Sequence, residues 1–273
     1  MKTIKDQLLM STLEDSQGER RDKQFLEEIV AKMPPRYPLG QHHDFSLPNV
    51  GFIENFRLEE LPDHPGEWCI KGDLTMQDDQ DWSKVGGFSF STVEIVKRQA
   101  NGVGALYVPY PFYRDGSALD EILSYDPQLH AGKWIKKAAD PTQITLMVCL
   151  FVLTPVWKST WDEKVWPFIK RTWANYRKGR FKDLPLDFGF TAQGRHGGNV
   201  NVLFIPDRSN VERTFTKELA DAGMEKAMKV IAEDKRGASV GISQIKLYCH
   251  SHTEGYRIES IQYADGQVTH QVS

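Results

Sequence analysis

One serine and one histidine in the first half of the chain have the residue types of a nucleophile and its base. Ser89 lies in a Gly-Gly-Phe-Ser run, and His43 lies in a Gln-His-His-Asp run 46 residues earlier. A serine hydroxyl is a weak nucleophile at neutral pH, so it needs a base within hydrogen-bond reach and a third group that orients the base. His43 would take the proton from Ser89 and return it to a leaving amine. Such a pair occurs often by chance, so its value depends on the residues around it.

The third group has three candidates, which are His42, Asp44 and Glu94. In a flat strand, alternation places Ser89 and Ser91 on one face and Glu94 on the other. Glu94 would therefore need a bulge or a twist to approach Ser89. Ser91 is an alternative nucleophile, because it shares a face with Ser89.

The base and the oxyanion donors come from short local features. His42 and Asp44 are two residues apart and share a face of an extended segment, so the base remains open between His42 and His43. The adjacent glycines Gly86 and Gly87 would let backbone N–H groups approach a developing oxyanion. These residue types are those that acyl transfer by a serine nucleophile requires.

The order of features along residues 36–97 resembles the prohead serine proteases with which tailed phages mature their heads, a family related in fold to herpesvirus assemblins. The matching elements are a histidine–aspartate pair, a proline-to-glycine strand entry, a tryptophan-to-leucine strand and a glycine–hydrophobic–serine strand ahead of a glutamate. They lie at His43 and Asp44, at residues 48–51, 68–74 and 87–89, and at Glu94. The resemblance covers roughly a quarter of the chain.

This resemblance implies a β-barrel with helices and a serine endopeptidase activity. A catalytically inactive barrel that acts as a scaffold or partner-binding subunit is the alternative, since the same glycines and tryptophan would be kept for folding alone. Because the chain continues well past the matching region, the resemblance also suggests a module reused in a bacterial or prophage-encoded system. Antiviral defence is the context we expect.

Hydrophobic spacing predicts an α+β protein in three segments. Residues 1–35 have apolar positions at helical spacing and predict a helical segment. Residues 36–138 contain short strands separated by turn residues, which predicts the barrel with an added helix. Residues 139–273 follow the order β-α-β-β-α-β-β-β, which predicts a mixed sheet with helices on one face. The role of this last domain stays open.

Composition limits the classes of partner and compartment. The formal net charge of −3 gives no overall positive field, so we expect no nucleic-acid partner. Three widely separated cysteines, Cys69, Cys149 and Cys249, argue against a disulfide framework and favour a reducing cytoplasm. The apolar run at residues 144–157 contains Pro155 and is shorter than the ~20 residues of a spanning helix. It predicts a buried strand, so we expect no transmembrane segment.

Two other patterns carry weaker chemistry. Cys249, His250 and His252, with His270 on a neighbouring strand, make a zinc site conceivable, but a polar strand end beside a turn is the favoured interpretation. We therefore predict neither a metal nor a cofactor. The basic run at residues 170–182 lies among tryptophans at helical spacing, which favours core packing beneath a solvated face.

The alternatives for this basic and aromatic region are single-stranded nucleic acid, a membrane surface and an oligomer interface. We expect a protein substrate or a protein partner, and a homo-oligomer or a subunit of a larger complex.

Overall fold

The computed structural model describes residues 2–39, 50–76, 92–135, 144–152, 157–194 and 198–272. It confirms the mixed α+β class. Contacts along the chain divide it into two compact units. The first comprises Met1–Thr92, Lys136–Ala139 and Asp265–Gln267, and the second comprises Val93–Ile135, Asp140–Ala264 and Val268–Ser273.

Among its described residues, the first unit contains an antiparallel sheet of four strands and one helix. The strands are β1 (Lys2–Ser11), β2 (Arg36–Leu39), β3 (Gly51–Glu60) and β4 (Trp68–Met76). They pair in the order β1-β4-β3-β2. Helix α1 spans Lys23–Lys32, and its N-cap Asp22 accepts a hydrogen bond of 2.8 Å from the backbone N of Phe25.

Alternate strand positions supply the core of this unit. Leu26 of α1 is buried with Leu9, Ile53, Ile70 and Leu74 from three of the strands. These side chains are apolar and completely or almost completely removed from water, which is the main term that stabilises the unit.

For this part of the chain, one prediction is wrong and the barrel prediction is not confirmed. The predicted helix over residues 1–35 is wrong for Lys2–Ser11, which forms a strand paired along β4 with two register shifts. Those shifts and the left-handed backbone of Asp6 (φ 58°) interrupt the regular alternation that would have identified a strand. The described strands form an open sheet, and no closed barrel is present among the described residues.

The second unit is built on a mixed sheet with the order β13-β12-β11-β10-β9-β8-β6-β7-β5. Its strands are β5 (Thr92–Lys97), β6 (Gly104–Pro109), β7 (Leu129–Ile135), β8 (Ile144–Val152), β9 (Leu186–Gln193), β10 (Asn199–Ile205), β11 (Ile242–Cys249), β12 (Tyr256–Tyr263) and β13 (Val268–Val272). Parallel pairing joins β6 with β7, β8 with β9 and β10 with β11.

A helix connects each parallel pair. The helices of this unit are α2 (Gly116–Tyr125), α3 (Trp157–Thr160), α4 (Trp166–Tyr176), α5 (Val211–Thr214), α6 (Lys217–Glu233) and α7 (Gly237–Val240). A π-helical turn at Trp161–Val165 joins α3 to α4. Buried side chains of α2, α4 and α6 share one core with alternate residues of β6, β9, β10 and β11, so these three helices pack on the same face of the sheet.

The element order predicted for residues 139–273 is confirmed. The structure has β8, α4, β9, β10, α6, β11, β12 and β13 in that sequence. Between β10 and β11 the helical region is interrupted at Phe215, and α6 begins after Thr216, whose hydroxyl caps it. Strands β6 and β7, which fall within the predicted domain at residues 36–138, belong to the same sheet as β8.

No helix in the described part of the chain combines the length and the apolar character needed to cross a membrane.

Candidate functional site

The predicted catalytic residues divide between described and undescribed parts of the chain. Ser89, His43 and Asp44 lie outside the described residues, as do the alternatives Ser91 and His42. Glu94 is described, on strand β5. The structure therefore locates the ends of the segments that carry the other candidates, and the side chain of Glu94 itself.

Both segments leave the four-stranded sheet at one end. Residues 40–49 connect Leu39, the last residue of β2, to Val50, and the backbone N of Val50 donates to the carbonyl O of Leu39 over 2.9 Å. Gly51 pairs with Leu39 on one side and with Met76 on the other. Residues 77–91 follow Met76, the last residue of β4. The chain that carries His43 and Asp44 thus starts at the end of β2, and the chain that carries Ser89 starts at the same end of β4, with β3 between the two strands.

The described residues at this sheet end are mostly apolar and buried. Leu39, Val50 and Met76 are 8%, 7% and 1% exposed. Burial raises the pKa of Tyr37, two residues before Leu39, so its phenol is neutral at pH 7 and adds no charge. A polar group packed against these buried apolar side chains would lose hydration. Hydrogen bonds and charge interactions are stronger where water is excluded.

Arg36 on β2 and Glu54 on β3 form an ion pair. Their side chains are 3.2 Å apart, and the Arg36 guanidinium carbon lies 3.9 Å from the centre of the Phe52 ring. The guanidinium is therefore already engaged by a carboxylate and an aromatic ring. It is a cation at the sheet edge whose charge is compensated locally.

The glycines and the tryptophan of the prohead-protease resemblance have identifiable folding roles. A Cβ atom on Gly51 would lie 2.1 Å from the carbonyl O of Thr75 in β4. A Cβ atom on Gly72 would lie 2.8 Å from Cγ2 of Ile53. The Nζ of Lys23 lies 3.5 Å from the centre of the Trp68 ring, so the indole receives a cation from α1. These residues are required by close backbone and side-chain packing.

Glu94 is exposed to solvent, whereas a carboxylate that orients a catalytic histidine is sheltered from water. Its carboxylate is 60% exposed and lies 3.1 Å from the Nζ of Lys133 on β7. Strand β5 is at one end of the nine-stranded order, beside β7. Within the described part of the chain, the structure brings Glu94 together with a lysine of the same sheet.

The cysteine–histidine cluster near the end of β11 is organised as a strand end. Cys249 is completely buried, its Sγ donates to the carbonyl O of Ser251 over 3.2 Å, and burial raises the pKa of its thiol. His250 is exposed, with its ring 4.4 Å from that of Tyr248. Over the described ranges, no three histidine, cysteine or acidic side chains gather closely enough to hold a metal ion.

A charged network that the sequence did not indicate joins the start of α2 to the turn after α4. Arg180 donates from Nη1 to Asp115 over 2.6 Å and from Nε to Glu121 over 2.8 Å. Glu121 also accepts from the hydroxyl of Tyr125. The two segments are 65 residues apart at Asp115 and Arg180, so no local spacing could have identified the pair.

The chain was compared with protein-family models, with curated proteins and with solved structures, and none of the three comparisons finds a match.

Proposed function

We propose that this protein is a serine endopeptidase, with Ser89 as the nucleophile, His43 as the base and Asp44 as the group that orients the base. One observation carries the proposal: the segments that contain these residues leave the same end of one sheet, from the paired positions Leu39, Gly51 and Met76. Triads are commonly assembled from residues distant in sequence that neighbouring elements bring together.

Chain reach is compatible with this assembly. His43 follows Leu39 by four residues and Ser89 follows Met76 by thirteen. At ~3.3–3.6 Å per extended residue, these segments extend up to about 14 Å and about 45 Å from their strand ends. Adjacent strands are ~4.8 Å apart, so the two strand ends are separated by about 10 Å. Ser89 also precedes Thr92, the first residue of β5, by only three residues, so short segments restrict the positions of both His43 and Ser89.

The chemistry follows from the residue types. His43 accepts the hydroxyl proton as Ser89 Oγ attacks a peptide carbonyl, and it returns that proton to the leaving amine when the C–N bond breaks. Backbone N–H groups near Gly86 and Gly87 stabilise the oxyanion. Water then attacks the acyl-enzyme, again with His43 as the base, and releases the second peptide fragment.

We prefer Asp44 to Glu94 as the third member because the Glu94 carboxylate already has a charged partner and is exposed to water. The Glu94 carboxylate already pairs with Lys133 and is more than half exposed. A carboxylate that orients an imidazole does so through a hydrogen bond sheltered from water. Asp44 is adjacent to His43 in the sequence and is the remaining carboxylate among the three candidates.

A fluorophosphonate probe, which phosphonylates activated serines, tests the proposal. We expect the wild-type chain to be labelled at Ser89, and the Ser89→Ala and His43→Ala variants to lose labelling. The Ser91→Ala, His42→Ala and Glu94→Gln variants serve as matched controls and are expected to keep it. Labelling that persists in Ser89→Ala but is lost in Ser91→Ala would identify Ser91 as the nucleophile. No labelling of the folded wild-type chain would contradict the proposal.

A non-catalytic scaffold is the second candidate function. It is favoured by the packing roles of Gly51, Gly72 and Trp68, since these account for the family-like residues without any catalysis. This function predicts a stable oligomer or complex in size-exclusion chromatography with light scattering. It also predicts that the Ser89→Ala variant retains full activity in cells, whereas an endopeptidase would lose it.

A further inference from the structure

Helix α4 and the turns on either side of it carry a concentrated positive charge. From Lys164 to Lys182 the chain has seven basic residues and no acidic residue, and the exposed carboxylates of Asp162, Glu163 and Asp183 flank this range. Since the whole chain carries −3, the other residues together carry −10. We call this set the basic surface: Lys164, Lys170, Arg171, Arg177, Lys178, Arg180 and Lys182.

The fold directs these charges outward. Helix α4 buries Phe168, Ile169, Thr172 and Tyr176 in the core of the second unit. Of the seven basic residues, Lys170 and Arg171 lie in α4, Lys164 lies in the π-helical turn before it, and the other four follow its last residue, Tyr176. All seven are exposed.

The arginines and the lysines of the basic surface differ in how their charges are compensated. Arg171 is held by Asp126 over 2.7 Å, Arg177 by Glu212 over 2.8 Å, and Arg180 by Asp115 over 2.6 Å. The lysines of the basic surface are Lys164, Lys170, Lys178 and Lys182. Within the part of the chain that the structure describes, no carboxylate forms an ion pair with any of these lysines. In the described part of the chain, four lysines without an ion pair thus lie beside three arginines that each have one.

A protein partner or a membrane would require apolar contacts that this surface lacks. Between residues 158 and 182 the structure exposes no large hydrophobic side chain. Protein interfaces depend on buried aromatic or aliphatic anchors, and membrane-surface helices insert an apolar face. The apolar side of α4 is already buried in the core, so neither mode of binding is available.

The aromatic residues of this region are also engaged internally. The Trp173 ring stacks on that of Tyr176 with their centres 5.7 Å apart and their planes at 15°, and Arg177 lies 5.7 Å from the Trp173 ring centre. These rings are therefore not free to stack on unpaired bases, which is how single-strand binders read their ligand. The charges alone remain for recognition.

We infer that the basic surface binds the phosphate backbone of duplex nucleic acid without sequence preference. Lysine ammonium groups neutralise phosphates and release condensed counterions, and this electrostatic term supplies essentially all of non-specific binding. The overall charge of −3 predicts no such partner, but affinity of this kind depends on the local surface. The inference does not depend on the proposed peptidase activity.

Fluorescence anisotropy with a labelled DNA duplex of about 30 base pairs tests the inference. Each phosphate contact contributes a slope of about −0.9 to log K against log salt, so four lysines predict about a hundredfold weaker binding at 200 mM than at 50 mM salt. The Lys170→Glu/Lys178→Glu/Lys182→Glu variant should lose at least tenfold in affinity at 50 mM salt. For this variant, the slope of log K against log salt should become less negative by about 2.7, because three phosphate contacts are removed.

A matched control changes the net charge by the same amount elsewhere. Lys5, Lys32 and Lys235 are exposed and lie outside the basic surface. Their triple substitution to glutamate should weaken binding less than threefold, and both variants should keep the wild-type circular dichroism and melting temperature. Equal losses in the two variants, or no binding by the wild-type chain at 50 mM salt, would each overturn the inference.

Discussion

Asp115 shows how one carboxylate can join two distant parts of the second unit. It is the N-cap of α2, accepting from the backbone N of Ser117 over 2.8 Å and from the Ser117 hydroxyl over 2.7 Å. Its other oxygen accepts from Arg180. These donors stabilise the charged form, with the Ser117 hydroxyl first and the Arg180 guanidinium second, and they lower the pKa of Asp115 to about 2.

This shift predicts a stability change in acid. The folded-state pKa lies below the ~3.9 of an unfolded aspartate, so the contribution of Asp115 is fully present above about pH 4 and is lost as the pH falls toward 2. By NMR titration we expect a carboxyl pKa of about 2, and Ser117→Ala or Arg180→Gln should raise it toward the ordinary value. Ser124→Ala, in the same helix, is the matched control and should leave it unchanged. An ordinary pKa for Asp115 in the wild-type chain would contradict this account.

At the scale of elements, the close pairing of β3 and β4 determines where the first candidate catalytic segment ends and where the second begins. Gly51 is the first residue of β3 and pairs with Met76, the last residue of β4. The space beside Gly51 is occupied by the backbone of β4, which cannot move aside as a flexible side chain would. The glycine is therefore necessary for the strand ends to meet, whether or not the site is catalytic.

The Gly51→Ala variant is expected to be destabilised by at least the ~1–3 kcal/mol that is typical of overpacking. Gly116→Ala is the matched control, because no atom lies within 4 Å of a Cβ at the start of α2. It should change the free energy of unfolding by less than about 1 kcal/mol, since alanine is the better helix former. Urea denaturation of both variants measures the difference, and similar midpoints for the two would show that the backbone around Gly51 relaxes at little cost.

At the scale of the whole molecule, the chain builds two separate hydrophobic cores. One surrounds Leu26 of α1, and the other surrounds the aromatic residues of the nine-stranded sheet, including Phe204 of β10. Phe204 packs against Phe190 at 5.3 Å and against Tyr256 at 4.9 Å between ring centres. Each core draws its residues from its own unit, so each is expected to stabilise mainly its own elements.

Hydrogen exchange in core variants tests this separation. Leu26→Ala should cost about 2–5 kcal/mol and Phe204→Ala about 3–5 kcal/mol, because both side chains are fully buried. Leu26→Ala should raise the exchange rates of amides in β3 and β4 and leave those of β10 and β11 nearly unchanged, while Phe204→Ala should do the reverse. If either variant raised exchange equally in both sheets, the two cores would be one cooperative unit.

The sequence predicted most where the signals are local. The order of strands and helices over residues 139–273 depends on hydrophobic spacing between residues close together in the chain. The sequence analysis did not identify β7, which pairs in parallel with β6, and it assigned helix to β1, whose irregular alternation gave a misleading spacing.

For the candidate site, the sequence by itself determined the residue types and their order, namely His43 and Asp44 before Ser89 and Glu94. Only the tertiary structure decided that the segment with His43 and Asp44 and the segment with Ser89 leave the same end of one sheet. It also decided that Glu94 pairs with Lys133. Strand order and ion pairs across a sheet join residues tens of positions apart. They depend on long-range pairing and burial, which no local pattern of residues encodes.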